Sequence, residues 1–551
     1  MPPAMPLPGD RVYPDAIATE LARRPADDRV VSAKLIPSST DFPARTLGGI
    51  FPRVLLFAAL ITVFLSLFKL QALIWPHGRT PVRLWEWIIW TLTIAWALPA
   101  LPALTSVLGF ALHRKPKSYP NIRLNVLVCF RIVSRGQNSA VLIETIRNIR
   151  GQMASTPLFP YQIEVITDLA VDLPSRPDVV HFVVPETYQT PRGSLYKARA
   201  LQYALDHSSL PDNAWIMHLD EESRLTSSVI VGIQASILEE EASGSYRIGQ
   251  GAILYYRSLK RNPILALADS IRTGDDLGRF HFQHRLGLPL FGLHGSFILV
   301  RHSVERQTGF DFGPVGSVTE DAFWALRQMH LGQRCRWVDG YLIEQAPETI
   351  MDFIKQRRRW FVGLGKCFWH SDVKMRFRFV LGLSILLWSL SWIGIQVTYI
   401  NLFAGQRTPF PIQVAGNFAF ATYIVAYLLG LTINLANLDS EFRLSRWQRP
   451  GLYLLQIGLI PVFSALESLG VLYGLVRPDS GFHVVQKTEA KKRLGLRWSL
   501  FLEPARAAVA LAVGLLRAVP FRQNHSSLAA DGEFRRPSDD MVIDLARADG
   551  D

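Results

Sequence analysis

Apolar stretches long enough to cross a bilayer stand on both sides of one long polar block, and no soluble domain can absorb that pattern. They run over about residues 54–75, 85–112, 379–404, 412–438 and 452–476, and the block between the second and third covers about 115–376. A bilayer helix needs roughly 20 apolar residues. With 49% hydrophobic and 19% charged residues over 551 positions, the chain is too apolar for an ordinary soluble protein of that length. Lys69, the one charge inside the first stretch, lies near enough its end to snorkel. Residues 1–48 hold many Pro, Arg and Asp but no short apolar core with a small-residue cleavage site, so the first stretch is expected to be a retained anchor.

Lysine and arginine near the ends of the spans set an orientation. His113, Arg114, Lys115 and Lys117 lead into the polar block and Lys366, Lys374, Arg376 and Arg378 lead out of it, which predicts a cytosolic block and a cytosolic N-terminal tail. Three further crossings would carry Lys487, Lys491, Lys492 and Arg493 to the far side. The stretch 452–476 is therefore expected to be re-entrant or interfacial, since Pro461 interrupts it and Glu467 is costly in lipid unless it faces protein or water. The expected division is a cytosolic tail at 1–48, a transmembrane hairpin at 49–114, a catalytic domain at 115–360 and an interfacial helix at 361–378. A membrane region at 379–476, a cytosolic or interfacial segment at 477–518 and a disordered tail at 519–551 follow.

Cys129, Cys335 and Cys367 lie far apart with no metal-type spacing and read as small buried hydrophobes in a reducing compartment. The net charge of +13 concentrates beside spans and over residues 355–378. Attraction to anionic headgroups and to a sugar diphosphate accounts for it, and no nucleic-acid partner is expected.

Within the block, strand and helix patterns alternate. Residues 124–130, 162–167, 179–184 and 215–219 are near-continuous apolar runs with strand character, while 141–149 and 195–205 repeat apolar residues at helical spacing. The pattern predicts an α/β fold with a mostly parallel sheet, whose ligands bind beyond the carboxyl ends of the strands. Asp168 and Asp220 each follow such a strand. Asp168 reads either as a loop or capping aspartate or as an acceptor for the base or ribose of a nucleotide.

Three constellations carry chemistry. Asp220 and Glu222, two apart in an extended segment, can share a hard divalent cation, Mg or Mn, whose remaining positions go to diphosphate oxygens and water; the same acids also suit a turn opening a helix near residue 226. Glu320 and Asp321 follow Thr319 at the start of an amphipathic helix, either as ordinary first-turn acids or as a rigidly held general base. In an inverting transfer Asp321 would take the proton of the attacking hydroxyl. A helix beginning near Pro347 puts Gln356, Arg359 and Trp360 along one face, where a guanidinium can meet a leaving diphosphate and an indole can stack on a sugar. Arg357 and Arg358 are expected to be the lipid-facing pair.

Together these motifs resemble the family 2 glycosyltransferases of the GT-A (Rossmann-like) fold: Asp220-x-Glu222 as the metal motif, Thr319-Glu320-Asp321 as the base motif and Gln356-x-x-Arg359-Trp360 as the acceptor-side motif. The runs at 196–203, 218–222, 292–297 and 316–321 resemble in particular the Egghead-type β-1,4-mannosyltransferases. That resemblance covers about residues 120–365 and implies a GDP-mannose donor and a glycolipid acceptor, glucosylceramide, in an endoplasmic reticulum or Golgi membrane with the catalytic domain facing the cytosol. It also implies that Lys197 lies near the nucleotide or its phosphates, and that His294, Gly295 and Ser296 lie with Trp360 at the acceptor. Phe482 to Lys487 resembles the gating loop of polysaccharide synthases, with Val485 in place of threonine. A processive polysaccharide synthase shares every catalytic residue, and a membrane transporter or scaffold with an inactive domain is the alternative of another class.

Overall fold

The computed structural model describes residues 31–32, 42–75, 78–119 and 122–478. The expectations for Phe482 to Lys487, for 519–551, and for most of 1–48 and 477–518 lie outside the described residues. Helices α1 (Ile50–Ile74), α2 (Leu84–Leu92) and α3 (Ala100–Ala111) open the chain, and α2 and α3 are separated by a 3-10 turn at Thr93–Trp96. The second apolar stretch is thus broken, while Leu84–Ala111 as a whole remains long and apolar enough to cross a membrane. Pro99 and Pro102 lack the amide protons an uninterrupted helix would use there, so α3 starts afresh at the first of them.

The polar block folds around a seven-stranded sheet in the order β5-β4-β3-β6-β8-β7-β9. Its strands are β3 (Val128–Ser134), β4 (Tyr161–Thr167), β5 (Val179–Val183), β6 (Trp215–Asp220), β7 (Ile248–Leu254), β8 (Ile298–Arg301) and β9 (Cys335–Ile343). The short pair β1 (Val31–Ser32) and β2 (Arg123–Leu124) lies apart from it. β3 pairs in parallel with β4 and β6, as do β4 with β5 and β7 with β9, while β8 runs antiparallel to both β6 and β7. A single reversed strand interrupts the expected parallel sheet. Its start therefore lies on the edge where its neighbours end.

Alternation along β3 and β6 explains the two covered faces. Val128, Phe130, Ile132, Trp215, Met217 and Leu219 join the core beneath α4 (Ser139–Ser155) and α6 (Ser227–Ser243), whereas Cys129 and Ile216 pack with α5 (Tyr196–His207) on the opposite face. The remaining helices of the block are α7 (Pro263–Asp275), α8 (His281–Leu286), α9 (His302–Thr308), α10 (Gly313–Gly316), α11 (Glu320–His330) and α12 (Ile350–His370). α12 runs unbroken through residues 360 and 361.

Three long apolar helices follow: α13 (Met375–Ala404), α14 (Phe410–Ala436) and α15 (Gln448–Val476). Among the described residues, five helical segments are long and apolar enough to cross a membrane. α15 is continuous through Pro461, and Gln456 and Glu467 on it bond to Ser270 of α7 and Arg357 of α12, at 3.2 and 2.6 Å. All three cysteines are unpaired and buried.

Candidate active site

The carboxyl ends of β4, β6 and β9 line one edge of the sheet and deliver Asp168, Asp220 and Glu344, and the reversed β8 brings His294, Gly295 and Ser296 to the same edge. Lys197, on the first turn of α5, joins the two halves of this edge. Its ammonium donates to Asp220 Oδ1 at 2.6 Å and to the Gly295 carbonyl at 2.7 Å, and lies 3.8 Å from Glu320 Oε1. A Cβ built on Gly295 would lie 3.2 Å from Asp321 Oδ2 and 3.2 Å from the Lys197 nitrogen, so a larger residue would press on both the carboxylate and the ammonium. Tyr196 and Phe297, immediately flanking Lys197 and Ser296, hold positive φ angles of 54° and 58°. Such conformations cost roughly 1–3 kcal/mol in a non-glycine residue and concentrate at functional sites.

Asp321 accepts the amide of Ala322 at 2.7 Å, which fixes its carboxylate at the start of α11. The turn before it is clamped by α12. Thr319 Oγ1 lies 3.2 Å from Cys367 Sγ, and a Cβ on Gly363 would come within 2.3 Å of the Thr319 methyl carbon. Burial raises the Asp321 carboxyl above its ordinary value. Burial and the Asp321 charge push Glu320 up to about 7, with Lys197 and Arg359 working in the opposite direction. The positive charge of Arg359 thus acts on both carboxylates of α11.

Asp220 is partly exposed at the edge, and Glu222 is buried behind it. Both are neighbours of Glu344, which burial and their charges push up to about 7. Among the described residues no three His, Cys, Asp or Glu side chains form a metal cage. Ser296 donates to Glu344, and the Asp220 amide donates to Ser223 Oγ at 3.0 Å. His294 Nε2 lies 2.6 Å from Asp276 Oδ1, and Gln250 of β7 donates to the carbonyls of His294 and Ser296. Trp360 has the guanidinium carbons of Arg357 and Arg272 at 4.6 and 4.9 Å from its ring centroid.

Residues 215–435 match the family described as glycosyl transferase family group 2. The β-1,4-mannosyltransferase egh of Drosophila melanogaster is 33% identical over 367 residues, covering 65% of this chain and 78% of that protein. The β-1,4-mannosyltransferase bre-3 of Caenorhabditis elegans is 32% identical over 370 residues, covering 66% and 79%. The chain belongs to this β-1,4-mannosyltransferase family of family 2 glycosyltransferases. Among solved structures, the mannosyltransferase PcManGT of Pyrobaculum calidifontis, in complex with GDP-Man and Mn2+, aligns with a TM-score of 0.40 at 16% identity. That alignment covers 70% of this chain and 98% of the other. S. aureus TarS in complex with UDP aligns at 0.27 and 12%, covering 58% and 94%. Membership of this family and the mixed α/β sheet make the fold the α/β GT-A type, and the protein is a glycosyltransferase with five helical segments among the described residues long and apolar enough to cross a membrane.

Of the residues singled out in the sequence, the transferase brings Lys197, Asp220, Gly295, Glu320, Asp321 and Arg359 together. Asp168 stands two strands away, its carboxylate 2.7 Å from Arg199. Arg357 corrects the sequence expectation. It is not lipid-facing but buried, its guanidinium bonded to Glu467 and Asp269 at 2.6 Å each and to Gln356 at 2.7 Å. Arg358, by contrast, is half-buried and donates to the Arg477 carbonyl. Glu344 was missed although it obeys the rule that found Asp220, an acid directly after a buried strand. Arg272, Asp269 and Gln250 sit inside apolar helix or strand runs and carry no such mark.

Proposed function

We propose that this glycosyltransferase moves mannose from GDP-mannose to the glucose of glucosylceramide, forming a β-1,4 linkage with inversion. The observation that carries the proposal is the meeting of Asp220, Lys197, Gly295 and Asp321 at one point of the sheet edge. A donor diphosphate and an acceptor hydroxyl need a cation and a base within one sugar's length of each other. The donor and acceptor are taken from the family, whose curated members are named β-1,4-mannosyltransferases.

In this mechanism Asp321 takes the proton of the acceptor O4 as that oxygen forms its bond to the anomeric carbon, while the bond from that carbon to the β-phosphate oxygen breaks and GDP leaves. The rigid seat of Asp321 against its own helix amide favours the base role. Arg359 faces the departing charge with a planar fork. Lys197 supplies a second cation, buried but kept protonated by Asp220 and Glu320. Asp168, at the end of β4, is assigned to the nucleoside, and Trp360 with the His294–Ser296 loop to the acceptor sugar.

A divalent cation, Mg or Mn, fits Asp220 and Glu222. Burial, together with the Asp220 and Glu222 charges, pushes the neighbouring Glu344 carboxyl up to about 7, and a cation would relieve the crowding of those charges. When bound it would neutralise the diphosphate.

Orientation is part of the same proposal: the catalytic block faces the cytosol at an endoplasmic reticulum or Golgi membrane, in keeping with the lysines and arginines beside the spans. The contacts of α15 with α7 and α12 support a helix lying against the block. The deciding experiment incubates purified protein in bilayers with glucosylceramide and single nucleotide sugars, then resolves the lipid products. One β-1,4-mannose per acceptor, from GDP-mannose only, is expected. Long polymer, or consumption of UDP-sugars without transfer to glucosylceramide, refutes the proposal in favour of a polysaccharide synthase.

A further inference from the structure

Arg357 sits in the middle of the Gln356 to Trp360 run, yet its side chain is only 2% exposed and points away from the sugar-nucleotide edge into a helix junction. Arginine is almost never buried unless paired. Here two carboxylates from different helices hold it: Glu467 of α15 at Nε and Asp269 of α7 at Nη2, each at 2.6 Å. Asp269 also takes Arg272 at 3.5 Å, and Arg272 approaches Glu344 to 4.0 Å. The two guanidiniums bordering the Trp360 indole, those of Arg357 and Arg272, therefore share one anchor. Glu344 in turn accepts from Ser296 and from Ser223, whose oxygen receives the Asp220 amide. A continuous polar path links a membrane-length helix to the metal motif.

The backbone is built to seat this path. A Cβ on Gly470 of α15 would lie 2.6 Å from the Arg357 Cβ, and one on Gly474 would lie 2.8 Å from the Phe361 ring, so α15 meets α12 at closest approach just where Glu467 reaches Arg357. On the other side, Gly274 of α7 and Gly430 of α14 allow backbone contact, with added Cβ atoms 2.1 and 1.9 Å from carbonyl oxygens of Ala426 and Ser270. Such closeness forbids α7, α12 and their membrane partners from moving independently.

We infer that Glu467, Arg357, Asp269 and Arg272 are positioning residues of the transferase, orienting the Trp360 indole at the acceptor from the membrane side. The inference rests on the proposed acceptor role of Trp360. A cation near an indole constrains where the ring can lie. Removing a carboxylate from a buried pair leaves the guanidinium to find another partner, and here that movement is transmitted to the ring that receives the sugar. None of the four touches the reacting atoms.

The test compares wild type, Glu467→Gln and Glu467→Asp in bilayer discs. Glu467→Gln is expected to raise the acceptor KM about tenfold, a binding loss of about 1.4 kcal/mol, with GDP-mannose affinity and kcat within about twofold of wild type. Glu467→Asp keeps the charge and is expected to recover most of the loss. A substrate-independent readout accompanies the kinetics: in protein labelled with 5-fluorotryptophan, the fluorine resonance assigned to residue 360 by its loss in Trp360→Phe should move in Glu467→Gln. An unmoved resonance, or equal falls in kcat and in folded yield at constant KM, overturns the inference and leaves a structural brace. Should wild type not use glucosylceramide at all, the functional proposal fails while the resonance still decides this one.

Discussion

Asp321 and Glu320 are adjacent acids in one buried turn, and the energetics of the site turn on which of them carries a charge at a given pH. Burial and the neighbouring carboxylate push Glu320 up to about 7, and burial raises Asp321. Because these folded-state values are raised, any stability the neutral forms supply is present below the ordinary carboxylate range and is lost as pH rises through about 7. Catalysis has the opposite requirement, since a base must be ionised. The pH profile of kcat/KM should therefore rise along a limb displaced above the ordinary aspartate value, the direction in which burial moves Asp321. A limb at the ordinary aspartate value would assign the proton to another group. Asp321→Asn should lower turnover by about 10²- to 10⁴-fold while calorimetry finds donor affinity nearly unchanged, the carboxylate that receives the proton being distinct from the cation-binding pair. Another buried set of charges serves stability alone. Arg131 of β3 bonds to Glu164 and Glu305, all fully buried, and His218 of β6 lies 2.6 Å from Glu305. Burial would raise the Glu305 carboxyl, but Arg131 and His218 overcome it and hold it near 2. This contribution is present above the usual carboxylate value and disappears as pH falls through about 2. Glu305→Gln should cost about 3–5 kcal/mol of stability, read by thermal unfolding in lipid discs.

Among the elements, α12 serves both chemistry and assembly, and its arginines separate the two. The Arg359 charge acts on the carboxylates of α11, whereas Arg358 is half-buried and donates to the Arg477 carbonyl at the end of α15. Arg359→Lys should therefore lose about 10²-fold in turnover, the scale of a lost donor at developing charge, and Arg358→Lys should lose little, because an ammonium can still donate to a single carbonyl but does not replace a planar fork. Equal small losses would return the motif to a headgroup-binding role. The helical spacing of residues 356–360 placed Gln356, Arg359 and Trp360 on one face; Gln356 accepts from Arg357 at 2.7 Å, and Trp360 lies beside the Arg357 and Arg272 guanidiniums. The same spacing misassigned Arg357, because a wheel tells which residues share a face and not which helix will cover it. Glu467 was recognised as costly in lipid unless it faces protein, and Arg357 is the partner that a sequence alone could not name. Strand patterns located β4, β5 and β6 to within a residue, since buried central strands are almost continuously apolar, whereas β3 begins and ends four residues later than the apolar run 124–130. The reversal of β8 was not legible: direction depends on the connection, and four residues of strand carry no sign of it. The break in the second apolar stretch was marked by Pro99 and Pro102, yet hydropathy outweighed it.

For the whole molecule, the consequence of this architecture is that the side of the cleft proposed here for the acceptor is braced by helices of membrane length. α12 carries Trp360, continues through the aromatic segment to His370, and is followed within a few residues by α13. Its Phe361 ring lies 5.6 Å from Trp388 of α13 and its Arg357 reaches Glu467 of α15. An acceptor held in the same bilayer by its own acyl chains would arrive with its depth and tilt already restricted, so little orientational freedom remains to be lost in reaching Asp321. A water-soluble glucoside offers the same hydroxyl and must lose that freedom on binding. The expected result is a KM at least about tenfold higher for the soluble glucoside than for glucosylceramide in discs, a difference of about 1.4 kcal/mol or more, with the affinity for GDP-mannose the same in both assays. Similar KM values for the two acceptors would show that the membrane helices only tether the catalytic block. A soluble acceptor extended by many sugars would point instead to a chain-elongating enzyme, because a site braced for a lipid-anchored sugar has no reason to retain a growing polymer.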